Sequence, residues 1–263
     1  MKIIVCIKQV PDTTEVRIDP ATGTMIRAGV PSIMNPDDKG GLEAGLRLKE
    51  EHGGQVTVIT MGPPQAVEVL REALAMGADQ AILLTDRAFA GADTWATSCT
   101  LAAALKKVDY DLVITGRQAI DGDTAQVGPQ IAEHLGLPHV SYVKEIKRTA
   151  TGLEVKRALE DGYQRLALKT PCLLTILAEI HPVRYMSVAG VIDAHAPHRI
   201  SQWSLADLEI DRSNIGLKGS PTKVKKTFTA SAKAAGQLLE GLSPAQAADA
   251  IVKKLQEKFI IQG

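Results

Sequence analysis

Short apolar runs alternate with amphipathic stretches along the first half of the chain. Runs that suit buried strands begin at Ile3, Gln55, Gln80 and Leu112, and residues with the apolar spacing of a helix follow each of them. Strand-then-helix units in series predict a parallel, doubly wound sheet with helices on both faces. With 263 residues, the chain is long enough for one large α/β domain with an extension.

This alternation stops after residue 136. Antiparallel strands are predicted over 139–147, 153–158 and 163–169, a fifth buried strand over 172–177, and a small hairpin earlier, over 16–27. Residues 194–224 are polar and without a clear period, which is typical of a strap lying on another surface. Its apolar residues, such as Trp203, Leu205 and Leu208, have too little surrounding sequence to bury them, so we expect the strap to be ordered only against a partner chain. We therefore expect an α/β domain over 1–193, and a strap with one or two terminal helices over 194–263.

The loop over residues 116–127, after the fourth strand, is the most informative connection. Apolar residues at helical spacing beyond it predict a helix that ends at Gly136, with Asp123 or Thr124 as its N-cap. The free N–H groups of the first turn and the helix dipole would favour an anion there. Asp121 and Asp123 would repel a phosphate and should point away from it. A turn that merely connects a strand to a capped helix is equally compatible.

Loops that follow parallel strands meet at one edge of the sheet, so this loop should lie near three other segments. These are the turn after Ile7, the Met61-Gly62 turn and the helix start at Asn35-Pro36. A mononucleotide in such a crevice fits the rule for open sheets. The chain has neither G-x-G-x-x-G after the first strand nor a P-loop motif, so a standard dinucleotide fold and a P-loop nucleoside triphosphatase are not supported.

Composition excludes several classes of function. Lys+Arg and Asp+Glu total 30 each, which gives no electrostatic case for nucleic acid or an anionic membrane. No apolar run reaches the roughly 20 residues that span a bilayer. The chain enters its first strand without a signal-peptide core, and its three cysteines are widely separated, so we expect a cytoplasmic protein without disulfides.

Catalytic and metal-binding side chains are not indicated. The six histidines are scattered, mostly in expected surface turns, and no Ser/His/Asp or Cys/His grouping lies on loops that the topology would bring together. Aromatic residues make up only 3% of the chain. A flat cofactor ring would therefore need much of its wall from a partner chain.

Residues 155–166, Val-Lys-Arg-Ala-Leu-Glu-Asp-Gly-Tyr-Gln-Arg-Leu, are followed by Pro-Cys-Leu-Leu-Thr at 171–175. These two segments resemble the signature of the electron transfer flavoprotein β subunit, as do 116–121, 73–79 and 34–36. The resemblance covers nearly the whole chain. It implies an adenine-nucleotide-binding (HUP-like) sheet with added hairpins, and a heterodimer whose α subunit carries an electron-transferring FAD. The α subunit would be the partner chain that orders the strap and the terminal helices.

The resemblance also implies where ligands and partners bind. Nucleotide contacts would fall on Cys6, Asn35, Pro36, Asp37, Asp38, Met61, Gly116, Arg117, Gln118, Ala119, Ile120, Asp121, Gly122, Asp123, Thr124, Ala125, Gln126 and Val127. A recognition loop that docks an acyl-CoA dehydrogenase would correspond to 185–191. Its docking residues would be Tyr185, Met186, Val188 and Val191, with Val188 where many members present a leucine.

The phosphate loop departs from that of ordinary members, which bind AMP and carry Asp-Asp-x-Asn-Gln-Thr-Gly. Here residues 121–129 read Asp-Gly-Asp-Thr-Ala-Gln-Val-Gly-Pro. This version resembles the electron-bifurcating branch, whose β subunit binds a second FAD and accepts hydride from NADH. Ala125 in place of Asn, together with Gly122, removes bulk beside the phosphates. In that branch electrons pass to the α-subunit FAD and to ferredoxin or flavodoxin, and we would expect the activity only in the heterodimer.

Two alternatives remain at the level of sequence. One is a conventional β subunit that binds structural AMP. The other is a protein of a different class on the same fold, such as an ATP-sensing stress protein or an adenylate-forming enzyme. A stress protein would lack the hairpin signature. An adenylating enzyme would need a Ser-Gly-Gly type of loop where this chain has Lys8-Gln9-Val10-Pro11.

Overall fold

The computed structural model describes residues 1–12, 31–225, 236 and 238–261. The hairpin predicted over 16–27 lies outside these residues. The chain divides into two compact units, Met1–Lys225 and Lys226–Gly263. No helix of the described part of the chain combines the length and apolarity needed to cross a bilayer.

The main strands and helices follow the predicted order, and several short elements that were not predicted lie between them. The strands are β1 (Lys2–Cys6), β2 (Gln9–Pro11), β3 (Ser32–Met34), β4 (Gln55–Met61), β5 (Gln80–Leu84), β6 (Leu112–Gly116), β7 (His139–Thr149), β8 (Gly152–Ala158), β9 (Tyr163–Leu168), β10 (Cys172–Ile176) and β11 (Ile200–Trp203). The helices are α1 (Pro36–His52), α2 (Val67–Met76), α3 (Thr94–Leu105), α4 (Val127–Leu135), α5 (Val188–Ala194), α6 (Gly216–Gly219) and α7 (Pro244–Glu257). Short 3₁₀ turns cover Pro64–Ala66, Arg87–Phe89, Ala178–Ile180, Leu205–Asp207 and Arg212–Asn214.

A nine-stranded sheet with the order β11-β5-β4-β1-β6-β10-β7-β8-β9 organises the first unit. The strands from β11 to β7 are parallel, and β8 and β9 continue the sheet as antiparallel hairpins. The chain moves from β1 through β4 to β5, then crosses back to β6 on the other side of β1. This reversal creates a crevice at the carboxyl ends of β1 and β6. The doubly wound parallel sheet with added hairpins is therefore confirmed.

Two hydrophobic clusters cover the two faces of this sheet. Side chains along a strand point alternately to opposite faces. On β1, Ile3 and Val5 join the cluster that contains Leu42 and Leu46 of α1, whereas Ile4 joins the cluster of α3 and α4. Helices α1 and α2 therefore pack on one face, and α3 and α4 on the other.

The segment predicted to be a strap contributes an edge strand to the sheet. β11 pairs in parallel with β5, and Leu208 is buried in the cluster of α3 and α4 with Trp203 and Leu205 packed against it. The expectation that this sequence could not bury its own apolar residues is therefore wrong for these three positions. A four-residue strand is too short to show a period in the sequence. The domain boundary at 193 and packing on an α subunit stay predictions.

The second unit contains α7. Ser243 is the N-cap, its hydroxyl accepts from the N–H of Gln246, and Pro244 occupies the first turn. The capping box and Pro244 explain why the helix begins there. Among the described residues, no residue of α7 is buried, and Ile251 and Val252 are exposed.

Candidate functional site

Asn35 joins the start of α1 to the loop over residues 116–127. It is the N-cap residue, as predicted, with Pro36 in the first turn, but its side chain makes no capping hydrogen bond. Its Nδ2 instead donates to the carbonyl of Gln118 (2.8 Å), and its Oδ1 accepts from the N–H of Ile120 (3.0 Å). Asn35 is fully buried, so these bonds fix the loop against the helix.

Asp38 binds the ends of the two central strands. Its Oδ2 accepts from the N–H of Lys8 and its Oδ1 from the N–H of Gly116, both at 2.9 Å. Burial raises the pKa of this carboxyl to about 7. A Cβ at residue 116 would overlap Asp38 Oδ1, so only glycine permits this close approach.

Asp37 makes a second set of contacts with the neighbouring loops. Its Oδ1 accepts from the N–H of Ala178 (3.0 Å) and its Oδ2 from the N–H of Gln118 (3.4 Å). Arg117 Nε lies 3.1 Å from the same Oδ2 in an ion pair without hydrogen-bond alignment. The start of α1 thus holds both the loop after β6 and the segment after β10.

The two carboxylates of the loop have partners on the protein. Lys8 Nζ lies 2.5 Å from Asp121 Oδ1, and Gln118 Nε2 donates to Asp123 Oδ1 (2.8 Å). Neither carboxylate caps a helix, because α4 begins at Val127 with residue 126 as its N-cap. Lys8 was not predicted as a site residue, although its position shortly after the first strand was a signal.

The predicted N-cap at Asp123 or Thr124 is therefore wrong. Asp123 and Ala125 have positive φ angles of 48° and 52°, which right-handed helical residues do not adopt. The helix consequently starts two to three residues later than the preference of Asp and Thr for N-caps suggested. Its first turn offers the N–H groups of Val127 and Gly128, whereas Pro129 has none.

This first turn of α4 packs directly on the sheet. A Cβ at residue 128 would lie 2.6 Å from Thr115 Oγ1 and 2.8 Å from Thr175 Cγ2, on β6 and β10. A Cβ at residue 122 would meet no atom within 4 Å. The N-terminus of α4 is therefore held at the carboxyl edge of the sheet, and the loop before it has open space at Gly122.

Cys6 and Met61 end the two strands on the other side of the crevice. Cys6 is buried, and burial raises the pKa of its thiol to about 12, so the thiol stays protonated at neutral pH. Met61 is half-buried against the cluster of α3 and α4. All three cysteines are free, with Cys6 and Cys172 buried and Cys99 half-buried. The structure brings the predicted positions to one edge, and their contact with a nucleotide stays a prediction.

A polar seam between α3 and α4 was missed by sequence reasoning. Thr94 Oγ1 donates to Gln126 Oε1 (2.8 Å), and Ser98 Oγ lies 3.3 Å from Gln130 Oε1 and 3.1 Å from His134 Nε2. His134 was expected to be a surface histidine. Its ring is half-buried and packs edge-on against Trp95.

The residues predicted to dock a partner form an exposed apolar surface. Tyr185 is 96% exposed, Val188 81%, Met186 49% and Val191 38%. The resemblance describes 185–191 as a loop, but α5 begins at Val188 with Ser187 as its N-cap, whose Oγ accepts from the N–H of Gly190. The description as a loop is therefore wrong from Val188 onward. One short helix gives too few residues for a periodic signal in the sequence.

Within the described residues, no group of three or more His, Cys, Asp and Glu side chains is arranged to hold a metal ion.

Residues 22–208 match the electron transfer flavoprotein domain. This match covers the elements from β3 to β11, the docking residues and most of the crevice, whereas β1 with Cys6 lies before it.

Full-length relatives give the same assignment. The chain is 56% identical to the electron transfer flavoprotein subunit beta of Clostridium acetobutylicum over 262 residues, covering 99% of this chain and 100% of the relative. It is 56% identical to the caffeyl-CoA reductase-Etf complex subunit CarD of Acetobacterium woodii over 263 residues, with the same coverage. The acryloyl-CoA reductase electron transfer subunit gamma of Anaerotignum propionicum is 46% identical over 270 residues, again covering 99% and 100%. The chain therefore belongs to the electron transfer flavoprotein β-subunit family.

Proposed function

We propose that this chain is the β subunit of an electron-bifurcating electron transfer flavoprotein and that its crevice binds FAD. The FAD would accept hydride from NADH, and electrons would pass to the FAD of an α subunit and to ferredoxin or flavodoxin. An acyl-CoA dehydrogenase would receive electrons from the α-subunit FAD. The conventional alternative is a β subunit that binds AMP in the same crevice.

The backbone of Ala125 is the observation that carries this proposal. Its φ of 52° lies in the left-handed region, which disfavours a residue with a Cβ by about 1–2 kcal/mol and is best tolerated by Gly, Asn and Asp. Ordinary members of the family carry Asn at this position, which suits such a φ. Strained backbone that persists at a ligand site points to a functional requirement. We infer that the small side chain is kept because space beside the phosphates is needed.

The described residues fit a pyrophosphate at this edge. The N–H groups of Val127 and Gly128 lie at the positive end of a helix, and Gly122 leaves open space beside them. The acidic side chains of Asp121 and Asp123 are engaged by Lys8 and Gln118. The negative charge that would oppose a phosphate is therefore partly neutralised by the protein.

The chain's own residues would bind and orient the cofactor. FAD would supply the hydride and single-electron chemistry, so no side chain here has to act as a general acid or base. Asn35 and Asp38 hold the loop and strand ends in place. The low aromatic content agrees with a ring that projects toward a partner chain.

The names of two relatives support the choice of partner. One is a subunit of a caffeyl-CoA reductase-Etf complex and another is an electron transfer subunit of acryloyl-CoA reductase. Both names pair this kind of subunit with an enzyme that acts on the acyl group of a CoA thioester. We propose that the exposed apolar side chains of Tyr185, Met186, Val188 and Val191 dock an acyl-CoA dehydrogenase. Membership of the family leaves the ATP-sensing and adenylate-forming alternatives without support.

The nucleotide content of the native heterodimer tests the proposal. Denaturing the purified complex and separating the released nucleotides should give two FAD and no AMP per heterodimer. One FAD with one AMP would overturn the proposal and leave the conventional carrier.

An Ala125→Asn substitution gives a sharper version of this experiment. Asn accepts the positive φ at residue 125, so the variant should be more stable to unfolding by up to about 1 kcal/mol. The larger side chain should nevertheless crowd the pyrophosphate and replace part of the FAD by AMP. Ala150→Asn makes the same change in an exposed turn between β7 and β8, away from the crevice. It is the matched control and should leave the nucleotide content unchanged.

A further inference from the structure

Arg184 lies immediately before the exposed docking residues and contacts two carboxylates of α1. Its Nε donates to Glu43 Oε2 (2.8 Å) and its Nη2 to Glu43 Oε1 (3.2 Å). The same guanidinium donates to Glu50 Oε1 (2.5 Å) and Oε2 (3.0 Å), and the backbone N–H of Arg184 donates to Glu43 Oε2 (3.2 Å). Five hydrogen bonds therefore fix the chain to α1 at this point.

Glu43 depends on its contact with Arg184, because the Glu43 side chain is only 1% exposed and water cannot solvate its charge. Its other cationic partner is Arg47, whose Nε donates to Glu43 Oε1 at 2.8 Å. Burial opposes ionisation, but the hydrogen bonds from Arg184 and Arg47 lower the pKa of Glu43 below its ordinary value. A buried carboxylate of this kind requires its partners.

The far end of the same segment is also fixed. The N–H of Ser187 donates to the carbonyl of Ala75 on α2 (3.4 Å), and a Cβ at residue 190 would lie 2.5 Å from that same oxygen. Ala194 is buried in the core on this face. The outer side chains stay exposed, among them Ile192 at 71%. The segment thus has a packed inner side and an apolar outer side.

We propose that Arg184 is a positioning residue, which holds residues 185–192 in the conformation that binds the acyl-CoA dehydrogenase before the enzyme arrives. The inference rests on the docking role proposed above. Helix α1 also carries Asn35 and Asp38 at its start. Arg184 therefore ties the docking residues to the same helix that shapes the nucleotide crevice.

Pre-organisation explains how a residue outside the contact surface sets affinity. When only a fraction of molecules has the binding conformation, the apparent dissociation constant rises by the inverse of that fraction. A tether that keeps the segment in one conformation raises this fraction. Arg184 suits the task because its planar guanidinium bridges both carboxylates, which the single ammonium of Lys cannot do.

The test compares two variants that remove one partner each from the same carboxylate. Arg184→Gln removes the tether, whereas Arg47→Gln removes the other partner of Glu43 and leaves the segment attached. Both are made in the complete heterodimer and assayed with an acyl-CoA dehydrogenase that exchanges electrons with the wild type. We expect Arg184→Gln to raise the KM for the dehydrogenase about ten-fold, as for a competent fraction of about one tenth, with kcat unchanged. Arg47→Gln should leave KM near the wild-type value.

A second variant and a second readout keep the inference testable if Arg184→Gln folds poorly. Arg184→Lys retains the charge beside Glu43 and should also raise KM, with a smaller loss of thermal stability. Hydrogen exchange of the amides of 185–192 should be faster in both Arg184 variants than in Arg47→Gln. Equal KM and equal exchange in the Arg184 and Arg47 variants would overturn the inference.

Val188→Ala separates this inference from the docking proposal. Val188 is 81% exposed, so its truncation should weaken docking without disturbing the tether. If Val188→Ala has no effect on KM, the docking proposal itself fails. If Val188→Ala raises KM while Arg184→Gln behaves like Arg47→Gln, docking stands and the positioning role of Arg184 is rejected.

Discussion

Asp38 shows how one side chain can hold a crevice together. Its two oxygens accept from the N–H of Lys8, just after β1, and from the N–H of Gly116, the last residue of β6. These two strands lie on either side of the topological reversal. The residue was selected from the sequence through a family resemblance. Its hydrogen bonds to two strand ends were not predicted, because the N–H groups that it binds are 30 and 78 residues away in the chain.

An Asp38→Asn substitution should destabilise the fold. The amide has only one acceptor oxygen, so its NH₂ group would face one of the two backbone donors and leave that N–H unsatisfied. An unsatisfied buried donor costs about 1–3 kcal/mol. Chemical denaturation should show this loss, and Asp109→Asn, at an exposed side chain, should show almost none.

The difference in stability between wild type and Asp38→Asn should become smaller as the pH rises. Burial raises the pKa of Asp38 from 3.8 to about 7, so the folded state binds more protons than the unfolded state between these values. The contribution of Asp38 to stability is therefore fully present below pH 3.8 and falls as the pH rises toward 7. The advantage of wild type over Asp38→Asn should shrink over that range, and a constant difference would contradict the assignment.

At the scale of elements, α3 and α4 are joined by more than apolar packing. Three polar side chains recur every four residues, at Gln126, the N-cap of α4, and at Gln130 and His134 within the helix. They meet Thr94 and Ser98 on α3. Four-residue spacing places side chains on one face of a helix. The hydrogen bonds of this polar seam therefore fix the position of α4 along α3, and with it the end of the loop over residues 116–127.

His134 should make this seam sensitive to acid. Burial, and then the charge of Lys106, lowers the pKa of His134 from 6.5. The folded state thus resists a proton that the unfolded state accepts, so stability is present above pH 6.5 and is lost as the pH falls. His134→Gln should lose less stability than wild type between pH 7 and 5, by up to roughly 1 kcal/mol per pH unit. Melting temperatures measure this, with the exposed His139→Gln as control.

Regular elements were predictable where their patterns were long. The central strands and α1 to α3 lie where apolar runs and helical spacing put them. The start of α4 was not predictable, since the left-handed backbone at Asp123 and Ala125 has no signature in a sequence without glycine at those positions. Short elements such as α5 and β11 were not predicted for a different reason. They have seven and four residues, which is too few for a periodic pattern in the sequence.

At the scale of the molecule, the parallel sheet explains why the candidate site was partly predictable. Loops after parallel strands share one edge, so topology alone brings residues from 6 to 127 together. Topology does not predict contacts between side chains that are distant in the sequence. Arg184 and Glu43 are 141 residues apart, and nothing local in either segment indicates that the two form a buried pair.

Strand β11 and helix α7, both in the C-terminal region, should differ in their protection from hydrogen exchange. β11 is held by hydrogen bonds to β5, and its neighbour Leu208 is buried, so Ile200–Trp203 should be protected from hydrogen exchange in the isolated chain. α7 has 14 residues and none of them is buried. A helix of this length is marginal in water without packing, and we predict that its exposed Ile251 and Val252 pack on the α subunit.

Hydrogen exchange of the isolated chain and of the heterodimer distinguishes the two segments. The amides of Pro244–Glu257 should exchange quickly in the isolated chain and become protected by ten-fold or more in the complex, because protection reports the free energy of local opening. Ile200–Trp203 should show slow exchange in both samples and serves as the internal reference. Equal protection of α7 in both samples would contradict packing on the α subunit. Protection of β11 only in the complex would show that the partner, and not its pairing with β5, holds that strand in place.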